Sequence, residues 1–246
     1  MRAQSDKALR GKNMDLKAVL FDLGGTLVKT ASPSEIIRRI LKAHGIKRPI
    51  DMISVAHDKA EKNLTLEDYK LPYYDFWIKW NKIILEDLGI LERTDFLARA
   101  LAEEWWDNAE VELYPDVGET LIRLKEIGLK VGIITNGFKK DIEEILARLN
   151  LTDFFDVAVG IDAVKKPKPY KEIFLYALEK IKVQPHEALH VGDSLEKDYF
   201  GALNAGLNAI LLDREDIVKE NVVKIKNMGE ILDLIGWKEP SLKMKP

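Results

Sequence analysis

Cysteine is absent from the 246-residue chain, so disulfides, thiolate metal sites and a cysteine nucleophile are excluded. No apolar run approaches the roughly 20 residues that a membrane-spanning helix needs. Residues 1–13 are basic but lack the apolar segment of a secretory signal. We therefore expect a cytoplasmic protein with no membrane partner.

A large charge of either sign is also missing, because the net charge at pH 7 is only -3. This balance gives no electrostatic reason to expect nucleic acid as a partner. Glutamine occurs only at Gln4 and Gln184, whereas charged residues make up 32% of the chain, and this composition is typical of a thermophilic source. The hydrophobic fraction of 46% is sufficient for a folded core. Neither the composition nor the net charge indicates the oligomeric state.

Short apolar runs that end in polar residues or glycine recur along the chain. They predict buried strands at residues 18–21, 130–136, 155–159, 188–193 and 208–213, with a short edge strand at 222–225. Stripes with helical spacing separate these strands, at 117–127, 142–149, 173–181 and 199–203. The alternation predicts an α/β fold in which helices cover both faces of a parallel sheet.

The alternation stops between about residues 30 and 111, where only helical patterns are found. Apolar stripes lie at residues 36–41, 53–64, 73–88 and 96–105. About four helices inserted after the first strand predict a separate small bundle. We therefore predict a flexible tail at residues 1–13, an α/β core domain at 14–30 and 112–246, and a helical cap domain at 31–111.

Polar residues collect where the predicted strands end. Asp22, Thr135, Asn136 and Asp193 occupy such positions, and Lys166 lies in the loop after the third strand. A single aspartate at a strand end is more often a turn residue or a helix cap than a catalyst. Ligands of open parallel sheets, however, bind beyond the carboxyl ends of the strands, so several such residues together indicate a site.

Four segments of the chain, in order, resemble the motifs of the haloacid dehalogenase-like superfamily. They are FDLGGTL at 21–27, IITNG at 133–137, KPKP at 166–169 followed by Ile173 and Phe174, and VGDSLEKD at 191–198 followed by Gly201 and Ala202. The resemblance covers about residues 17–213 and implies a Rossmann-like sheet in the order 3-2-1-4-5. The inserted helices are similar to the cap of the subfamily that includes haloacid dehalogenases and phosphoglycolate phosphatases.

The resemblance implies magnesium-dependent hydrolysis of a phosphate ester or acyl phosphate on a small metabolite. Asp22 would attack phosphorus and form an aspartyl-phosphate, which water then hydrolyses. The ligands of Mg²⁺ would be Asp22, the backbone carbonyl of Gly24 and Asp193. Asp198 would bind the metal directly or through water, or would orient Lys166, and Ser194 would bind the metal or support its ligands.

The phosphoryl group would be held by three further residues that match the motifs. The hydroxyl of Thr135 and the backbone amide of Asn136 would donate hydrogen bonds to its oxygens. Lys166 would neutralise its charge, and we therefore count it as both a phosphate-binding and a catalytic residue.

One position departs from the family pattern. The residue two positions after the nucleophile is usually a second aspartate in the phosphatases, where it acts as general acid and base, but here it is Gly24. Its backbone carbonyl is retained, whereas proton transfer from this position is lost, which typically costs ~10²–10⁴-fold for a poor leaving group. A catalytically weak protein that binds a phosphorylated ligand or a partner is therefore an alternative.

Family members that lack this aspartate include haloacid dehalogenases and phosphonatases. The dehalogenases use no metal, and their fourth motif lacks the paired acids that this chain keeps at Asp193 and Asp198. Phosphonatases use a lysine of the cap as a Schiff base. Candidates in the predicted cap are Lys42, Lys59, Lys62 and Lys79, so this alternative stays open.

Two other sets of residues are interpreted as packing. Helical spacing favours burial within the cap, rather than a wall facing substrate, for Tyr73, Trp77, Trp80, Trp105 and Trp106. His190 lies inside the fourth predicted strand and is interpreted as a packed core histidine.

Overall fold

The computed structural model describes residues 15–236, so the predicted tail at residues 1–13 lies outside the described part. The strands of its main sheet, numbered in chain order, are β1 (Ala18–Phe21), β4 (Lys130–Ile134), β5 (Val157–Val159), β6 (Ala188–Gly192), β7 (Asn208–Leu212) and β8 (Lys224–Ile225). They are all parallel, in the order β5-β4-β1-β6-β7-β8. This arrangement confirms the predicted order 3-2-1-4-5 and adds the edge strand beside the fifth.

The remaining elements lie between these strands or follow them. The inserted segment contains α1 (Pro33–Ala43), α2 (Ile50–Lys62), α3 (Tyr73–Asp87), α4 (Thr94–Glu103) and α5 (Trp105–Asn108). The rest of the chain contains α6 (Val117–Glu126), α7 (Lys139–Arg148), α8 (Lys171–Ile181), α9 (Gly201–Asn204) and α10 (Glu230–Leu234). Within residues 15–236 no helix is both long enough and apolar enough to cross a membrane.

The central strand β1 explains why the strands of the sheet can be predicted from runs of apolar residues. All four of its side chains are fully buried, because a parallel strand covered by helices has no polar face. Val19 and Phe21 pack with α6, α7 and α10 on one side. Ala18 and Leu20 pack with α8 and α9 on the other.

A short antiparallel ribbon connects the inserted helices to the sheet. Its strands are β2 (Val28–Lys29) and β3 (Glu112–Leu113), which pair at the two places where the chain leaves and re-enters the α/β core. The helices between them share their own apolar cluster, which includes Ile37, Ile53 and Leu97. We propose that this segment is the cap domain, with the boundaries near residues 31 and 111 that the sequence predicts.

Two predicted helices differ in detail. The stripe at 96–105 divides, because α4 ends at Glu103 and a separate turn, α5, begins at Trp105. The helix predicted at 199–203 begins earlier, as a wide π-helical turn (Leu195–Phe200) that continues into α9. Such turns are frequent at functional sites, and this one directly follows the end of β6.

Candidate active site

Asp22 stands at the carboxyl end of the central strand. It directly follows β1, and its backbone N–H donates to the carbonyl of Val191 at 2.9 Å. Its side chain is 11% exposed, and its Oδ1 accepts a hydrogen bond from Lys168 Nζ at 2.5 Å. Among the described residues, none donates to its Oδ2, so one carboxylate oxygen remains available for attack.

Lys168 is the cation at the centre of the site. Besides Asp22, its Nζ contacts Asp198 Oδ1 at 2.6 Å and the carbonyl oxygen of Ile134 at 2.9 Å. The side chain is 2% exposed. A buried ammonium with three oxygen acceptors is fully satisfied and fixed in position.

The sequence analysis placed Lys166 in this role, and the structure corrects that assignment. Lys166 is 43% exposed and pairs with Glu172 at 2.5 Å. The physical reason lies in the loop backbone, where the side chain of Asn136 fixes residue 168. The Oδ1 of Asn136 accepts from the Lys168 N–H at 2.6 Å, and the Nδ2 of Asn136 donates to the Lys168 carbonyl at 3.1 Å. Both lysines precede a proline, so residue types alone do not separate them.

Asp198 is held by donors on each side. Its Oδ1 accepts from His190 Nε2 at 3.0 Å as well as from Lys168, and its Oδ2 accepts from the backbone N–H of Ser194 at 3.1 Å. Asp198 thus contacts a lysine of the third motif, but this lysine is Lys168 and not Lys166, which Asp198 was expected to orient. Ser194 contributes its backbone here, while its Oγ caps the π-helical turn by accepting from Lys197 N at 3.2 Å.

The sequence analysis interpreted His190 only as a packed core histidine. In the structure it also forms a hydrogen bond with Asp198. It is fully buried, with Phe174 edge-on at 5.1 Å. Burial lowers its pKa, so the imidazole is neutral and Nε2 carries the proton that it donates to Asp198. The signal missed in the sequence was the strand register, since His190 is paired with Leu20, two positions before Asp22.

The electrostatics of the three buried groups are coupled. Burial raises the pKa of Asp22 against the opposing effect of Lys168. Burial also works against the charged form of Asp198, yet the ammonium of Lys168 and the hydrogen bond from His190 hold the pKa of Asp198 well below its usual range. Burial likewise opposes the charge on Lys168, but the two carboxylates raise its pKa. The site therefore contains a buried ion pair between Lys168 and Asp198, and the ammonium of this pair also contacts Asp22 Oδ1.

Asp193 completes a cluster of three carboxylates. Asp22, Asp193 and Asp198 each offer an oxygen, and these oxygens all lie within 4.8 Å of one another. Thr26 Oγ1 donates to Asp193 Oδ1 at 3.4 Å. A Cβ on Gly25 would stand only 2.4 Å from Asp193 Oδ2, and this residue has a φ of +78°, so glycine is required there. Three converging carboxylates are the donor set that Mg²⁺ prefers.

Thr135 and Asn136 follow β4, the neighbour of β1 in the sheet. Thr135 Oγ1 accepts from the backbone N–H of Gly137 at 3.2 Å and lies at the edge of the cavity described below. The Asn136 side chain is committed to Lys168, which leaves its backbone amide for a ligand. Their roles in binding phosphate stay a proposal.

A cavity of about 280 Å³ lies between this site and the inserted helices. The α/β core supplies Leu23, Gly24, Thr135, Asp141 and Ile145. The inserted segment supplies most of the wall: Tyr73, Trp77, Trp80, Trp105 and Trp106, with His57, Asn81, Leu101 and Ala102. Thr30 lines the cavity at the junction between the two parts. The five aromatic residues that sequence assigned to packing thus line this cavity while their other sides contact the apolar clusters.

Asp141, on α7, connects the α/β core to the inserted helices. Its Oδ1 accepts from Tyr73 OH at 2.7 Å and from Trp106 Nε1 at 3.1 Å, and its Oδ2 accepts from the N–H of Phe138 at 3.0 Å. Three donors satisfy this buried carboxylate, although burial raises its pKa. It therefore fixes two of the aromatic side chains over the cavity.

Comparison with known families agrees with this geometry. The model of the haloacid dehalogenase-like hydrolases matches residues 16–206. The chain belongs to this family of hydrolases, as the four sequence motifs predict.

Similar proteins include phosphatases and a pyrophosphatase, and among solved structures also a 2-haloacid dehalogenase from Pseudomonas syringae, with a TM-score of 0.66 at 25% identity, covering 89% of this chain and 98% of that chain. A glyceraldehyde 3-phosphate phosphatase from Methanopyrus kandleri is 32% identical over 203 residues, covering 81% of this chain and 84% of that protein. The pyrophosphatase PpaX from Bacillus cereus is 34% identical over 193 residues, covering 78% and 81%. The crystal structure of a phosphatase of this family from Thermococcus onnurineus superposes with a TM-score of 0.62 at 29% identity, covering 90% and 98%.

Proposed function

We propose that the protein is a magnesium-dependent phosphatase that hydrolyses a phosphate ester or acyl phosphate of a small metabolite through an aspartyl-phosphate on Asp22. The observation that carries the proposal is the position of Asp22, which stands at a strand end with Lys168 on one oxygen and two further carboxylates within reach. The phosphatase activity of the relatives supports it.

The chain's own residues would share the work as follows. Asp22 Oδ2 attacks phosphorus, and the P–O bond to the leaving group breaks. Lys168, held by Asp198, neutralises charge on the phosphoryl oxygens. Thr135 and the Asn136 amide donate hydrogen bonds to the same oxygens. Water then attacks the phosphorus of the aspartyl-phosphate, which releases phosphate and restores the carboxylate of Asp22.

Magnesium would be held by Asp22, Asp193 and the backbone carbonyl of Gly24, and Asp198 is close enough to contribute directly or through water. When bound, it would neutralise negative charge on the phosphoryl group. The carboxylate donors fit this ion, since they are hard oxygen ligands that would otherwise repel one another.

Added magnesium is expected to raise the melting temperature, because it binds the folded site and relieves this repulsion. Asp193→Asn should reduce both the thermal shift and the activity, with unchanged secondary structure. Calorimetry and a phosphate-release assay across magnesium concentrations would measure both, with the exposed Asp153→Asn as the matched control. Full activity in excess chelator would contradict the metal assignment.

The other functions that the sequence left open find less support. A Schiff-base phosphonatase needs a lysine facing the substrate, yet no lysine lines the cavity within the described residues. Of the candidate lysines, Lys59 pairs with Asp87 at 2.7 Å and Lys79 pairs with Asp68. Dehalogenation has no evident use for the carboxylate cluster. Phosphate release in a screen of phosphorylated metabolites with magnesium, lost in Asp22→Asn, would separate a phosphatase from a protein that only binds its ligand.

Gly24 predicts which phosphates are turned over. Without an acid at this position the leaving group departs unprotonated, so acyl phosphates and 4-nitrophenyl phosphate should react far faster than simple alkyl or sugar phosphates. Gly24→Asp should raise kcat/KM for alkyl esters by ~10-fold or more and change acyl phosphates little. The variant is sterically feasible, because a Cβ at Gly24 meets nothing within 4 Å and the positive φ belongs to Gly25.

The measurement is the slope of log kcat/KM against leaving-group pKa for the wild type and Gly24→Asp. Gly24→Ala is the matched control, since it adds the Cβ without the acid. Equal slopes in two well-folded proteins would show that another group already supplies the proton.

A further inference from the structure

The cavity between the α/β core and the inserted helices has a mainly aromatic and aliphatic wall. Its wall contains four tryptophans, a tyrosine and the aliphatic side chains of Leu23, Val28, Leu101 and Ile145. Lysine and arginine are absent from this wall in the described part of the chain, and its one carboxylate is Asp141. A second anionic group on a ligand would therefore enter a low-dielectric space with a carboxylate nearby and, apart from the imidazole of His57, no basic side chain to pair with.

Three polar side chains of the wall are already paired within the protein. Tyr73 OH and Trp106 Nε1 donate to Asp141, and Asn81 Nδ2 donates to the carbonyl of Ala98 at 3.0 Å. The donors that remain include the imidazole of His57 and the indole N–H of Trp77, which is buried without a hydrogen-bond partner among the described residues. Donors carried on aromatic rings suit a single acceptor on a flat ligand better than the several hydroxyl groups of a sugar. Flat apolar groups, by contrast, gain both burial and ring stacking against such walls.

The cavity reaches the residues that directly follow Asp22 in the chain. Gly24 lines it two residues beyond the nucleophile, and the space that a side chain would occupy there is open. Thr135, proposed to hold the phosphoryl group, lines it too. A phosphoryl group at Asp22 would therefore direct its ester substituent between the aromatic side chains.

We propose that the substrate of this site is a monophosphate whose leaving group is uncharged, flat and largely apolar, such as an aryl or a comparable enol phosphate. This inference rests on the proposed phosphatase function and specifies its substrate class. The P–O bond breaks with its electron pair on the leaving oxygen, and an aryloxide or enolate delocalises that charge, so no acid at position 24 is needed. Solvent water then protonates the product.

A pair of substrates matched in shape tests this with the unaltered protein. With magnesium, kcat/KM for 3-acetylphenyl phosphate should exceed that for 3-carboxyphenyl phosphate by roughly 10²-fold, because the carboxylate is buried in an apolar wall without a lysine or arginine to pair with it. The two substituents have nearly the same size, so fit alone would not separate the substrates. Equal values, or a preference for the carboxylate, would overturn the proposal.

A charge placed in the wall gives the converse test. Ala102→Lys should selectively improve the carboxylated substrate and bring the two values of kcat/KM together. Ala102→Met adds similar length without charge and should leave the preference intact. Ala102 is 8% exposed and lies on α4, so melting temperatures must first show that both variants fold.

Binding without turnover separates the two proposals. Benzylphosphonate, which has no P–O bond to break at the ester position, should bind at least ~10-fold more tightly than methylphosphonate by calorimetry, because the ring is buried.

Acetyl phosphate tests the phosphatase function by itself, since its leaving group is too small to need the cavity. Hydrolysis of acetyl phosphate without any aryl preference would refute the substrate class alone. Absence of all hydrolysis would refute the phosphatase function, and equal binding of the two phosphonates would still refute the cavity's role.

Discussion

Asp22→Asn is expected to lower kcat/KM for every phosphorylated substrate by at least ~10⁴-fold, because an amide cannot form the acyl-phosphate intermediate. Lys168 keeps its second carboxylate partner, Asp198, at 2.6 Å, so the variant should fold. Phosphate release and the melting temperature would be measured together. The observation of a phosphorylated intermediate, trapped by acid quench in the wild type and absent in the variant, would identify the nucleophile directly.

Asp153→Asn supplies the matched control, since it makes the same chemical change at an exposed position away from the site. It should retain full activity. Substantial turnover by a folded Asp22→Asn protein would remove Asp22 from the mechanism, and the neighbouring carboxylates would have to be considered instead.

The chain offers an unusually direct control for the second large effect. Lys168→Met should reduce kcat/KM by ~10²–10³-fold, because the cation that faces the phosphoryl oxygens is lost. Lys166→Met removes the same charge from the same loop, but its ammonium is exposed and paired with Glu172, so activity should change less than ~2-fold. Steady-state kinetics on acetyl phosphate would compare the two variants.

Stability should separate these lysines as well. Lys168→Met leaves Asp22 and Asp198 buried without their cation, which typically costs about 3–5 kcal/mol. Magnesium should restore part of that loss, since it compensates the same carboxylates. Urea unfolding with and without magnesium would measure both effects. If Lys166→Met proved the damaging substitution, the assignment of the central cation to Lys168 would be wrong.

The parts of the fold that sequence predicted are those that depend on local pattern. β1, β4, β6 and β7 are buried on both faces, so each appears as an apolar run. The ribbon of β2 and β3 was not predicted, because two residues in each strand are too few to show a period. Its existence depends on pairing between distant parts of the chain.

The candidate site divides in the same way. Asp22 and Asp193 follow from the positions of strand ends in the predicted sheet, whereas Asp198 was placed beside them only by the resemblance of the fourth motif, because it lies within the turn after β6. Lys166 and Lys168 both precede a proline in the third motif, so the sequence does not show which of them enters the site. In the structure, two hydrogen bonds between the Asn136 side chain and the backbone of Lys168 fix the position of residue 168. The wall of the cavity depends on how the inserted helices stand over the sheet, which helical periodicity does not encode.

The two hydrogen bonds of Asn136 make the second and third motifs a single unit. A carboxamide presents one donor and one acceptor side by side, and here they match the carbonyl and the N–H of Lys168. An aspartate of the same shape would turn a lone pair toward that carbonyl, so even a near-isosteric replacement would move the backbone of residue 168. The residue that sequence marked as a phosphate contact thus also acts as a template, setting the position of an ammonium group carried by a loop 32 residues further along the chain.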